Sequence, residues 1–193
     1  LDRTGADFYA DVASIHERLT KNAVPVQLPI GSEDKFLGMV DLLEQKAYYF
    51  KDDLGKDIEI TDVPADMKEL VAKYRSELIE RIAENDETLM TQFLDGKEIP
   101  IADLKRVLRK ATVAFELVPI LCGSALKNKG VQQMLDAVVD YLPSPLDLPP
   151  VKGIHPRSGA EEERTPDPKK PFSALAFKIA TDPFVGKLAF FRV

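Results

Sequence analysis

Leu117-Val-Pro-Ile-Leu-Cys122 is an almost wholly apolar run, and with the loop and helix after it this run restricts the fold. A short apolar stretch without alternation suits a strand covered on both faces, as in a parallel sheet, with Pro119 as its blemish. A polar loop over 123–129 comes next. Residues 131–142 then place Met134, Leu135, Val138 and Val139 at helical spacing. Strand, loop and helix in this order predict part of a doubly wound α/β sheet.

Upstream, Phe8, Val12, Ile15 and Leu19 predict a helix over 6–21. Residues 24–30 alternate like a strand, but Pro25 and Pro29 confine it to a sheet edge. Strands over 36–43, 46–51 and 56–60, with turns at 31–34 and at Asp52-Asp-Leu-Gly55, predict a small antiparallel sheet. Pro64 opens a helix over 65–85 with an apolar stripe of Met67, Leu70, Val71, Tyr74, Leu78 and Ile82. Its other side carries Glu69, Lys73, Glu77, Glu80 and Glu84. Shorter helices fit 86–94, stopped by Gly96, and 101–114, where Leu104, Val107, Leu108 and Ala111 face inward. The outward Lys105, Arg106, Arg109 and Lys110 read as a solvated face. Residues 143–171 hold more than half of the fourteen prolines and the acidic run Glu161–Glu163, as a linker would. Two strands over 172–180 and 187–193 then read as the opening hairpin of an all-β domain.

Composition narrows the function. The chain has 193 residues, 45% hydrophobic and 30% charged, a globular balance. No run reaches the ~18 apolar residues a membrane span needs. Cys122 is the only cysteine, which excludes a disulfide within the chain and a cysteine-built metal site. His16 and His155 are too few for a histidine metal centre, and His16 reads as a surface or half-buried residue. Cys122 reads as a buried, inert thiol. The carboxylate pair Asp52–Asp53 falls in a turn. The chain opens on Leu1, without a signal peptide, which points to a cytoplasmic piece of a longer protein. Of the net charge of −6, residues 1–98 are strongly acidic and the remainder is basic. An acidic half disfavours docking on bare nucleic acid and suits either a basic protein partner or plain solvation.

Two segments stand out as chemistry. Leu1-Asp-Arg-Thr-Gly-Ala-Asp7 is a polar start before a helix, and Cys122-Gly-Ser-Ala-Leu-Lys-Asn-Lys-Gly130 joins the apolar strand to the last helix. Loops at the carboxyl ends of parallel strands are where open α/β sheets bind ligands. A carboxylate there accepts two hydrogen bonds from guanine N1–H and its exocyclic amine, while a Ser-Ala backbone N–H donates to O6. Lys127 and Lys129 read as exposed lysines of this loop. On spacing alone, an Asp at such a start is more often a helix cap than a base acceptor.

The motifs resemble translational GTPases of the elongation factor G type. Asp2-Arg-Thr-Gly-Ala-Asp7 is similar to the end of their Asn-Lys-x-Asp motif, and Gly123-Ser-Ala-Leu-Lys-Asn-Lys-Gly-Val-Gln132 to their last guanine-recognition loop. Asp140-Tyr-Leu-Pro-Ser-Pro145 and Phe172-Ser-Ala-Leu-Ala-Phe-Lys-Ile-Ala-Thr-Asp-Pro-Phe-Val-Gly186 resemble the passage out of the GTPase domain into domain two.

The resemblance implies an α/β chain. Residues 1–21 would follow the guanine-specifying Asp of a P-loop GTPase domain, and 22–115 would be an inserted α+β subdomain, G-prime. Residues 116–142 would close the GTPase domain, 143–170 would link, and 171–193 would begin a β-barrel. It implies a guanine site of Asp2, Ser124, Ala125, Leu126 and Lys127 for GTP or GDP. The Mg²⁺ site, phosphate loop and switches would lie outside these residues, so the piece alone should be catalytically inactive. It implies ribosomal translocation as the parent's task, with the ribosome and its stalk protein as partners and ribosomal RNA met only through the parent. The stalk contact would use Glu69, Glu77, Glu80 and Glu84. A ribosome-binding module alone, a recycling paralogue, release factor three and a ribosomal protection protein are the alternatives.

Overall fold

Asp7 sets where the chain first turns helical. In the computed structural model, which describes residues 1–52 and 54–193, its carboxylate accepts from the Tyr9 and Ala10 N–H groups at 3.0 and 3.1 Å. A helix start leaves such donors unpaired, and an Asp cap satisfies them. Helix α1 then runs Phe8–Arg18 and buries Phe8 and Val12, while Leu19 lies past its end, exposed.

The predicted edge strand over 24–30 is two strands. The chain divides at Val26 into β1 (Ala23–Pro25) and β2 (Gln27–Ile30), which belong to different sheets. β2 is the edge of a four-stranded antiparallel sheet continued by β3 (Gly38–Asp41), β4 (Lys46–Phe50) and β5 (Ile58–Asp62), in the order β2-β3-β4-β5. An edge tolerates the missing N–H of Pro29. The predicted 36–43 strand is shorter because a 3-10 turn, Glu33–Lys35, precedes it. In the β4–β5 turn the Asp52 carboxylate accepts from Lys56 and Asp57 N–H groups at 2.8 and 3.1 Å. Asp53, the other half of the predicted carboxylate pair, lies outside the described residues.

After a 3-10 turn at Ala65–Met67, α2 spans Lys68–Ala83, α3 Glu87–Leu94 and α4 Ile101–Val113. Val71, Leu78 and Ile82 of α2 are buried as predicted, but Leu70 sits at the margin of the stripe, exposed. Arg75 fastens α2 to the β3–β4 connection, donating to the Leu42 and Leu43 carbonyls at 2.6 Å each. Asp86 caps α3 through the Thr88 and Leu89 N–H groups. Leu104, Val107, Leu108 and Ala111 of α4 are all buried, in one core with Leu28, Met39, Val40 and Ile82.

The strand β6 (Val118–Ile120) pairs in parallel with β1, and α5 (Val131–Tyr141) follows the 123–130 loop. Two expectations fail here. β6 is not buried on both faces, since Val118 is exposed and Pro119 and Ile120 are only half-buried. Met134, Leu135, Val138 and Val139 of α5 face outward, whereas Tyr141 is buried and Ala137 packs against the core. Spacing says which residues share a face, not whether a sheet lies over it. The parallel sheet among the described residues is two strands wide and leaves that face open.

The basic face of α4 is also not simply solvated. Lys105 Nζ lies 2.8 Å from Glu44 and 3.8 Å from Asp140, and Arg106 pairs with Asp86 at 3.7 Å and Asp103 at 3.4 Å. Arg109 donates to the carbonyls of Val139 and Asp140 at 3.1 and 2.8 Å, a cation at the negative end of α5.

The chain divides into two compact units, Leu1–Leu142 and Pro143–Val193. The second contains two antiparallel hairpins. β7 (Val151–Ile154) pairs with β8 (Glu161–Arg164) inside the stretch predicted as a linker. β9 (Leu175–Asp182) pairs with β10 (Gly186–Arg192), with a register shift between Phe190 and Phe191. None of its residues is buried, and Phe172, Phe177, Phe184, Phe190 and Phe191 are all exposed.

Candidate functional site

Asp2 and the loop after β6 are remote in sequence and adjacent in the fold. Leu1 N donates to the Gly123 carbonyl at 2.7 Å, which lays the start of the chain along the loop. Asp2 is half-buried there. The polar Ser124 side chain beside it, with smaller help from the Lys127 charge, holds the Asp2 carboxyl below the usual carboxylate range. Asp2 is therefore an ionised acceptor at neutral pH. The helix-cap role belongs to Asp7.

The loop has a defined shape. Ser124 N–H donates to Lys129 O and Lys129 N–H to Ser124 O, both at 2.9 Å, closing a ring. Inside it, Asn128 N–H donates to Ala125 O at 3.2 Å, and Lys127 N–H to Ser124 Oγ at 3.2 Å. Ala125 and Leu126 form the exposed tip, and their N–H groups make no hydrogen bond among the described residues. This refines one expectation, because the Ser124 N–H is already taken and the open donors are those of Ala125 and Leu126.

Lys129 corrects another. It is buried, not exposed, and its Nζ donates to the Phe36 carbonyl at 3.1 Å. Asn128 reaches Leu54 O at 2.6 Å and Gln132 reaches Gly55 O at 2.8 Å. Glu33, which sequence reasoning passed over, accepts from Gly5 N–H at 2.7 Å and donates its own N–H to Leu1 O at 3.0 Å. Only a turn signal at 31–34 marked it, since its partners are far away in sequence.

The other candidates are structural. Burial pushes the Cys122 thiol up to about 12, so it stays protonated and unreactive at neutral pH. His16 Nε2 donates to the Ala23 carbonyl at 2.7 Å. Among the described residues no group of three or more His, Cys, Asp or Glu is placed to hold a metal ion, and no helix is long and apolar enough to cross a membrane. Glu69, Glu77, Glu80 and Glu84 are all exposed along α2 and its end. Arg81 pairs with Glu84 at 2.7 Å, and Lys73 lies 4.0 Å from Glu77.

Residues 1–144 match the family described as the elongation factor Tu GTP binding domain. A crystal structure of a protein from Thermus thermophilus is similar over 97% of this chain, with a TM-score of 0.72 and 27% identity. The match covers 25% of that protein, so the chain spans about a quarter of its length. With the family match extending over well more than half of its residues, the chain belongs to the elongation factor Tu GTP-binding domain family.

Proposed function

We propose that this chain is a piece of a translational GTPase of the elongation factor G type, and that Asp2 with the 123–130 loop forms the guanine-base half of its nucleotide site. In this reading residues 1–21 and 116–142 belong to the GTPase domain, and 22–115 are its G-prime insert. Residues 143–170 connect to a barrel domain that starts at 171. The parent couples GTP hydrolysis to movement on the ribosome in the cytoplasm.

One observation carries the base assignment. Leu1 N donates to Gly123 O, which sets the neighbouring Asp2 carboxylate against the loop whose Ala125 and Leu126 N–H groups are open. Guanine offers N1–H and an amine as donors and O6 as acceptor, the complement of that pair. Adenine offers an acceptor at N1 and a donor at its 6-amino group, so it meets both partners with the wrong sign. Ser124 orients the carboxylate, while Leu126 and Lys127 flank the base.

Phosphate and Mg²⁺ are different. The 193 residues contain no Gly-x-x-x-x-Gly-Lys-Ser/Thr motif, and the described residues hold no metal-ligand cluster. These residues fit a base, not a triphosphate, and no hydrolytic step is assigned to them. The chain alone should bind GTP no tighter than about millimolar and should not turn it over. Calorimetric titration with a parallel phosphate-release assay measures both.

The test of the base site is Asp2→Asn in the parent. The amide donates where the carboxylate only accepts, so guanine nucleotides should weaken and xanthine nucleotides gain. An unchanged preference contradicts the assignment.

A second reading concerns binding. The exposed Glu69, Glu77, Glu80 and Glu84 favour a basic partner, which in this family reading is the ribosomal stalk protein. Association should slow with salt. Charge reversal at Glu77 and Glu80 that left stalk binding unchanged at low salt would exclude this face.

A further inference from the structure

We propose that Glu33 and Lys129 are positioning residues for guanine recognition, through which the four-stranded sheet and its turns fix both limbs of the base site. The proposal rests on the guanine reading of Asp2 and the 123–130 loop, and adds what holds those two limbs in register.

The limbs are themselves thin. Residues 1–5 form no helix or strand, and 123–130 is a loop closed by one bridge. Hydrogen bonds that distinguish bases need donors and acceptors held within a few tenths of an ångström. The support comes from the four-stranded sheet. Glu33 brackets Asp2, since its N–H holds Leu1 O and its carboxylate holds Gly5 N–H. On the other limb, the residue that closes the ring onto Ser124 is the one whose side chain is anchored to Phe36 O. Glu33 and Phe36 are the two ends of one short turn between β2 and β3. A single element therefore grips both limbs.

The grip on the loop is doubled by the β4–β5 turn through Asn128, and Gln132 in the first turn of α5 bonds the same turn. Gly55 in that turn has φ +64°, and a Cβ there would overlap the Asn128 carbonyl. The approach is thus close enough to require glycine. A buried lysine ammonium on a carbonyl is also a costly way to fill space, which an apolar side chain would do better. Its reach across 93 residues to the Phe36 carbonyl is what a register device requires.

The experiment uses the parent protein and compares its affinity for GDP with that for inosine diphosphate. Inosine lacks the exocyclic amine, so the ratio reads how well the Asp2 carboxylate is aimed at that amine, independently of phosphate binding. Asp2→Ala serves as the control and should bring the ratio near one. Glu33→Ala and Lys129→Met should each lower the ratio at least threefold. Glu33→Gln keeps an oxygen acceptor for Gly5 N–H and should retain the wild-type ratio. Should Glu33→Ala fail to fold, Lys129→Met and Glu33→Gln carry the same comparison. A ratio unchanged in Lys129→Met and in any folded Glu33→Ala, while Asp2→Ala abolishes it, overturns the positioning role and leaves the base site standing. A ratio unchanged in Asp2→Ala overturns the base site and the inference together.

Discussion

Leu108 and Phe184 are both large apolar residues, and their fates differ completely. Leu108 on α4 is fully buried, while Phe184 in the β9–β10 turn is 96% exposed. The contrast extends to their units. Leu1–Leu142 sets a four-stranded sheet and α1–α4 around one core. Pro143–Val193 has two hairpins and no buried residue. A hairpin has apolar faces but no second layer of its own to cover them, and layering is what makes a core. Apolar content alone therefore does not distinguish a core from an exposed face.

The sharpest way to break this comparison is a deletion in the buried layer. Leu108→Ala should cost about 3 kcal/mol in urea denaturation, within the usual range for a closed core site. A cost below about 1 kcal/mol would mean that the core around α4 is loose. Next is the capping of α3. Asp86→Ala removes the acceptor for Thr88 and Leu89 N–H and should cost about 1 kcal/mol by the same assay.

Asp41 offers a subtler test, through pH. Burial is the largest influence on its carboxyl and raises it above the usual value, although Leu43 and Glu44 N–H groups donate to it. A raised folded value means that its stabilising contribution is complete below the unfolded value, about 3.9, and is lost as pH rises through the folded one. Asp41→Asn keeps the acceptor oxygen and removes the titration. Relative to wild type, the variant should gain stability between about pH 4 and neutrality. A constant difference across that window contradicts the assignment. Smallest of all, Phe184→Ala in the hairpin should change stability by less than about 0.5 kcal/mol. A larger loss would reveal a covering layer over the turn.

Legibility followed the same division. The α4 core residues were readable because spacings of three and four repeat within a single helix. The caps were not read, although their signal is local: Asp7 and Asp86 accept from N–H groups two or three residues on, while the cap role had been weighed at Asp2. The split of 24–30 between two sheets was not readable, since Ala23–Pro25 pairs with Val118–Ile120 and nothing local signals that partner. The α5 stripe was legible as a stripe but not as an exposed one. The linker composition of 143–171 concealed the β7–β8 hairpin, because proline marks where strands are interrupted more clearly than where they persist. Asp2 and the 123–130 loop were visible as motifs, and the bond from Leu1 N to Gly123 O is their spatial counterpart. Lys129 looked like one more surface lysine. Only the long-range contact with Phe36 shows it to be an anchor, and charge in a loop carries no such signal.

A crystal structure of the parent with GDP bound would test the guanine site at its atoms. Both Asp2 carboxylate oxygens should lie within about 3 Å of guanine N1 and the exocyclic amine, with O6 at the Ala125 N–H. Guanine seated elsewhere, with the Asp2 carboxylate facing water, would contradict the assignment.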